Sequence, residues 1–129
     1  IVWLDPDDAA TRWYFTWIES LRIELNRSLF LGLFDYECHL AWYPVGSFYR
    51  QHLDAFRGQG NRRVSTVLYL NPAWTDDDGG ALRLSLDAGD VDVAPRTGSV
   101  VFLSELEHEV LPAMRERWSI AAWLRRRQG

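Results

Sequence analysis

The sequence holds a single cysteine, Cys38. That excludes an internal disulfide and any cysteine-rich zinc site, and it fits a reducing compartment, the cytoplasm. Long apolar runs are missing too: none approaches the ~20 residues of a membrane-spanning helix, and no signal peptide is visible. A basic excess is also lacking. Fourteen Lys and Arg against eighteen Asp and Glu leave a net charge of −4, the wrong sign for a surface that tracks nucleic-acid phosphates. No internal repeat, low-complexity tract or long linker divides the chain. It begins at Ile1 without an initiator Met, which fits a trimmed or missing N-terminal segment.

What is present points to one compact unit. The 129 residues suffice for one hydrophobic core but not two, so residues 1–129 are read as a single domain. A 47% hydrophobic share with 25% charged residues argues against disorder. Seven Trp, five Tyr and six Phe are many for this length. Such side chains fill wide cores and also line concave sites.

The clear helix signal is early. Asp5-Pro6-Asp7-Asp8 offers cap and first-turn chemistry, and Trp13, Trp17, Leu21 and Leu25 then recur at every fourth position, with Tyr14 and Ile18 widening the stripe. The pattern predicts an amphipathic helix over about 8–28. From Glu37 the chain breaks into short segments with period-two patterning, at about 37–43, 48–54, 64–70, 81–86, 91–94, 99–103, 108–111 and 118–125. In 64–70, Val64, Thr66, Leu68 and Leu70 share one face, and Ser65, Val67 and Tyr69 the other. Gly79-Gly80 and Thr97-Gly98 read as turns. A mainly β chain with one flanking helix, its strands spanning about 37–125, predicts a double-stranded β-helix, the jelly roll also used by cupins. Such a fold has an open mouth between its sheets.

His52-Leu53-Asp54 puts an imidazole and a carboxylate two residues apart, on one face of a strand. His108, within Glu107-His108-Glu109-Val110-Leu111-Pro112, can complete a set of two His and one carboxylate. That set is the facial triad of non-haem iron(II) oxygenases, whose open positions admit a cosubstrate and dioxygen. Each piece alone is weak, since a lone histidine is by default a surface or hydrogen-bonded residue; His39, in a predicted buried strand, is read as structural. Zinc is the chemical rival, but His108-Glu109 lacks the second His of a His-Glu-x-x-His site. Nine positions after His108, Arg117 begins the last strand, and alternation places Ser119, Ala121 and Trp123 on its face. A dicarboxylate cosubstrate chelating iron at one end needs a cation for the other, and Arg supplies a permanently charged, bidentate fork. Arg125, Arg126 and Arg127 read as a solvated tail.

Set in order, these pieces resemble a known family. From about Ala41 to Leu124 the sequence is similar to 2-oxoglutarate oxygenases of the prolyl 4-hydroxylase superfamily, nearest to the oxygen-sensing (HIF-type) prolyl hydroxylases and their bacterial relatives. The matching residues are Tyr43-Pro44, Tyr49, His52-x-Asp54, Tyr69-Leu70-Asn71, Gly79-Gly80-x-Leu82-Arg83, His108-Glu109-Val110-x-Pro112, Arg117 and Trp123. The resemblance implies a distorted jelly roll with Fe(II) on His52, Asp54 and His108, and 2-oxoglutarate and dioxygen as cosubstrates, with ascorbate as an accessory ligand. It implies that Arg117 pairs with the far carboxylate of 2-oxoglutarate, that the Tyr69 hydroxyl assists, and that Tyr43 lies beside the cosubstrate. Trp123 and Tyr49 fall near the substrate mouth. Plain core packing remains the competing account of Tyr43 and Trp123. Arg117 favours the sensing-type branch, because collagen-type enzymes tend to carry Lys there. The implied substrate is a prolyl residue in a protein or peptide. Two rivals stay open: the same chemistry on another side chain or a small molecule, and a cupin-like protein that holds a metal or sugar without turnover.

Two departures stand out. The family usually has more helix before the sheet than the segment ending near Phe34 provides, and from Ala55 to Arg63 runs a basic stretch where relatives carry a substrate-covering loop. A lid and a solvated hairpin tip are both open readings of it.

Overall fold

A computed structural model describes residues 2–52 and 61–127, the side chains of 49–52 excepted. One helix, α1 (Arg12–Leu29), precedes most of the strands. These are β1 (Val2–Trp3), β2 (Leu33–Tyr43), β3 (Tyr49–His52), β4 (Arg62–Tyr69), β5 (Leu82–Leu86), β6 (Gly89–Val93), β7 (Gly98–Leu103), β8 (His108–Val110) and β9 (Arg117–Arg126). They form two antiparallel sheets, a major one in the order β1-β2-β9-β4-β7 and a minor one in the order β3-β8-β5-β6. This is the expected jelly roll with its flanking helix.

The helix opens as expected from acidic caps, with Asp8 accepting from the Ala10 backbone N–H at 2.9 Å. Its first turn, Ala9–Thr11, is a 3-10 turn and α geometry starts at Arg12. The buried stripe is shifted from the expected one. Tyr14 and Ile18 are its centre, fully buried, whereas Trp13 is 54% exposed and turns its indole N–H to the Ala10 carbonyl. A period of 3.6, unlike a strict repeat of four, rotates Trp13 off the line joining Tyr14 to Trp17 and Leu21. At the other end Phe30 adopts φ 53° and donates to the Asn26 carbonyl, ending the helix. The Asn26 side chain then clasps Leu33, accepting from its N–H at 2.7 Å and donating to its carbonyl at 2.9 Å. That clasp starts β2 at Leu33, four residues earlier than the alternation from Glu37 predicts.

Strand alternation then builds two cores. Outward faces of the major sheet send Leu33, Cys38, Val64, Ile120, Ala122 and Leu124 against Tyr14 and Ile18 of α1. The inward faces of both sheets meet at Leu82, Leu84, Phe102 and Val110, joined by Tyr43, Val67, Val93, Val100 and Leu106. β4 is therefore covered on both sides, as its two-faced pattern requires. β9 runs on to Arg126, and Arg125 is no solvated tail: it forks onto Asp35 at 2.9 and 2.8 Å. Arg62 and Arg63, expected at the end of a loop, already belong to β4. Among the described residues no helix is long and apolar enough to cross a membrane.

Candidate active site

Arg117 is the first residue of β9, in register with Tyr43 of β2. Alternation turns it away from the helix into the space between the sheets, where it is 2% exposed. Its Nε donates to the Gly80 carbonyl at 2.9 Å, and an NH2 contact reaches the Tyr69 hydroxyl at 3.4 Å. The guanidinium carbon lies 5.2 Å from the Tyr43 ring centre and 5.1 Å from that of Tyr69. Every one of these partners is neutral. Among the described residues no carboxylate pairs with Arg117, so a permanent charge is buried with no counter-ion from them. Such a pocket is suited to an anion. Because Nε is taken by Gly80, the NH1–NH2 edge is the one left to face it.

The pocket needs its glycines. Gly79 and Gly80 have φ of 67° and 71°, left-handed values that strain an L side chain. A Cβ on Gly80 would sit 3.0 Å from the Ala113 Cβ, 3.1 Å from the Trp74 ring and 3.3 Å from the Arg117 Cδ. Trp74 in turn donates its indole N–H to the Gly79 carbonyl at 2.9 Å. Gly79-Gly80, expected as a plain turn, is thus a wall of the arginine pocket. Tyr69 is 1% exposed, and burial pushes its phenol up to about 12 against the opposing pull of Arg117. It stays protonated, a hydrogen-bond donor, across the physiological range.

His52 and His108 sit on the opposite sheet. β3 pairs with β8 so that His52 and His108 are cross-strand partners; paired positions of an antiparallel ladder lie on one face. His108 is buried, its ring edge-on to Phe102 with centres 4.9 Å apart. Its Nδ1 bonds the Leu106 carbonyl at 2.9 Å. A carbonyl can only accept, so Nδ1 carries the proton, and in the neutral ring Nε2 keeps the lone pair a metal requires. Phe102, which touches His108, and Tyr43, which touches Arg117, belong to one inter-sheet cluster, so His108 and Arg117 approach it from facing sheets. Asp54 lies outside the described residues, as does the Tyr49 side chain; the Tyr49 backbone pairs with Val110.

Trp123 shares the Arg117 face of β9 but stands six residues along, about 20 Å at ~3.3 Å per residue. The Arg62 guanidinium covers its ring at 4.1 Å, and the His39 ring lies 5.0 Å away. Arg62 is fixed in turn by Glu37, at 2.8 Å from its Nε. His39, read as structural, is buried in this stack between Trp3 and Trp123. Sequence reasoning missed Arg62, Trp74, Asn71 and the Leu106 carbonyl as supports; only Asn71 and the glycine pair carried a signal, as parts of the motif.

Fold and site together define a jelly-roll protein with a buried cationic pocket on one sheet and two paired histidine positions on the other. The chain belongs to the 2OG-Fe(II) oxygenase superfamily, whose family model matches residues 38–125. That family brings Fe(II), 2-oxoglutarate and dioxygen, and the residues above fit such ligands: an uncompensated buried arginine suits a dicarboxylate, and a histidine with its proton pinned on Nδ1 suits a metal. A Pseudomonas putida prolyl-4-hydroxylase structure superposes with a TM-score of 0.91 at 53% identity, covering 97% of this chain and 72% of that one. A Trichoplax adhaerens prolyl hydroxylase, solved with a hypoxia inducible factor oxygen degradation domain peptide, gives 0.87 at 29% identity, covering 96% and 61%. A hypoxia-inducible factor prolyl hydroxylase of Caenorhabditis elegans is 36% identical over 91 residues, which are 65% of this chain and 12% of that protein. The chain thus spans only a small part of that nematode relative.

Proposed function

We propose that the protein is an Fe(II)- and 2-oxoglutarate-dependent dioxygenase that hydroxylates a prolyl residue in a protein or peptide. The observation that carries this reading is Arg117, a buried guanidinium ringed by neutral partners on the sheet that faces the His108 strand. His52, Asp54 and His108 would hold the metal. Bound Fe(II) and 2-oxoglutarate supply the oxygen activation that turns a C–H into a C–OH while 2-oxoglutarate becomes succinate and carbon dioxide. The chain's own contribution is binding and orientation. Arg117 takes the far carboxylate through NH1 and NH2, Tyr69 donates its hydroxyl proton toward the same group, and Tyr43 walls the pocket with its ring. Leu106 holds the His108 ring in its ligating tautomer. Phe102, Val110 and Leu84 keep the cavity apolar, which strengthens each polar contact within it. Trp123 and Tyr49 are assigned to the substrate mouth, Trp123 stiffened by Arg62. The prolyl substrate is drawn from the two prolyl hydroxylases of matching fold. The one thiol, Cys38, is buried and pushed up to about 12 by that burial, which keeps it protonated and unreactive in the core.

The test is anaerobic. Fe(II) and then 2-oxoglutarate are added to metal-free protein while the visible spectrum is recorded. A weak charge-transfer band that needs both additions, and is lost in the His108→Ala and Asp54→Ala proteins, is expected. Prolyl peptides should then drive succinate release where free amino acids do not. A folded, metal-bound protein that gives no band would replace this reading with that of a non-catalytic metal-binding jelly roll.

A further inference from the structure

We propose that Asn71 is a positioning residue for Arg117, holding the guanidinium where the far carboxylate of 2-oxoglutarate meets it. The proposal rests on the assignment of Arg117 to that carboxylate. Asn71 is 2% exposed and lies just past the end of β4. Backbone pairing between β4 and β9 stops at Tyr69, opposite Ser119. Pro72 follows, has no N–H, and cannot extend the ladder. The Asn71 side chain takes over. Its Oδ1 accepts from the Trp118 N–H at 2.7 Å while its Nδ2 donates to the Trp118 carbonyl at 3.0 Å and to the Pro95 carbonyl at 2.8 Å. An amide that both accepts from and donates to one residue does what a paired backbone residue does, so β9 gains one more rung at Trp118. The third bond ties that rung to the connection between β6 and β7.

Trp118 is the neighbour of Arg117, whose side chain turns to the opposite face. Fixing the peptide of Trp118 on its β4 side therefore fixes the direction in which Arg117 leaves the strand. The Arg117 side chain has two polar contacts to keep, the Gly80 carbonyl at 2.9 Å and the Tyr69 hydroxyl at 3.4 Å, and a shift of the strand would strain both. On this side the other tie is the Leu70 N–H to the Trp118 carbonyl, at 3.2 Å. None of the Asn71 hydrogen bonds reaches Arg117, Tyr69 or Gly80 directly. Its effect on the cosubstrate is indirect, and Trp118 ties it to Arg117.

The test measures binding by calorimetry to Fe(II)-loaded protein under anaerobic conditions, with 2-oxoglutarate and with 2-oxobutyrate, which keeps the chelating end and lacks the far carboxylate. Asn71→Ala should weaken 2-oxoglutarate about tenfold, the order expected when a charge-assisted contact is misaligned, and leave 2-oxobutyrate within about twofold. In the Arg117→Ala background the same change should add nothing. Cys38→Ala, in the helix-side core, should lower the melting temperature without altering the ratio of the two affinities. Should Asn71→Ala not fold, Asn71→Asp keeps the acceptor for the Trp118 N–H, loses both donors and should give the same selectivity. Equal weakening of both ligands, additivity with Arg117→Ala, or unchanged 2-oxoglutarate affinity while Arg117→Ala loses it, overturns the Asn71 role alone. Unchanged 2-oxoglutarate affinity in Arg117→Ala itself overturns the carboxylate assignment, and the Asn71 role falls with it.

Discussion

Replacing Arg117 by Met should cost the ligand-free protein little while removing most of its stabilisation by 2-oxoglutarate. Truncating a buried side chain usually costs about 2–5 kcal/mol. Here the buried group is a cation without a carboxylate among the described residues, and holding an ion out of water costs several kcal/mol. Against that stand a charged hydrogen bond to Gly80, about 1.5–3 kcal/mol, and two aromatic faces at 5.2 and 5.1 Å, each about 0.5–2 kcal/mol. The terms nearly cancel, and Met keeps the aliphatic packing but leaves the Gly80 carbonyl without its donor. The metal-loaded variant without 2-oxoglutarate should therefore lie within about 2 kcal/mol of wild type. With 2-oxoglutarate at a hundred times its Kd, wild type should gain about 2.7 kcal/mol, roughly 10 °C in Tm for a chain of this size. At the same concentration the variant should gain under about 1 kcal/mol. Anaerobic thermal unfolding, with and without 2-oxoglutarate, measures both. A loss above about 3 kcal/mol in the ligand-free variant would show that Arg117 is structurally paired, and an undiminished ligand shift would show that the far carboxylate binds elsewhere.

Gly80→Ala should lower stability by about 2–4 kcal/mol, adding left-handed strain to overpacking against Ala113 and Trp74; a denaturation midpoint within experimental error of wild type would refute the wall assigned to it. Tyr69 offers a pH test. The folded phenol is raised to about 12 and an unfolded one titrates near about 10, so its stabilisation is whole below pH 10 and is lost as pH rises between those values. Chemical denaturation at pH 8 and 11 should find the alkaline loss smaller in Tyr69→Phe by about 1 kcal/mol, and an equal loss in both proteins would remove Tyr69 as its source.

Much of the architecture was legible in the order of residues. Period-two patterning from Glu37 marks the strands because a half-buried strand must alternate, and the two-faced pattern of 64–70 marks a strand covered on both sides. The boundaries moved where side chains, not patterns, set them: Asn26 clasping Leu33 lengthened β2, and the acidic cap produced a 3-10 turn before α1. Arg125 shows the same limit. A run of three arginines carries no sign of partners, and those partners, Asp35 and Glu37, lie about ninety residues away along the chain.

The sequence by itself supplied the candidates that we propose for the chemistry, His52, Asp54, His108 and Arg117, in an order and spacing that resemble the oxygenases. Local spacing can do this because a His-x-Asp pair on a strand, or an arginine opening one, depends on strand periodicity alone. Only the tertiary structure decided that His52 and His108 stand in cross-strand register, that the Arg117 guanidinium is buried among neutral groups, that Gly80 walls it, and that Asn71 bonds the neighbouring Trp118. Burial and register depend on which strands pair. The contacts of Arg117 with Gly80 and Tyr69 bridge 37 and 48 residues of chain, distances over which no local pattern in the sequence carries a signal.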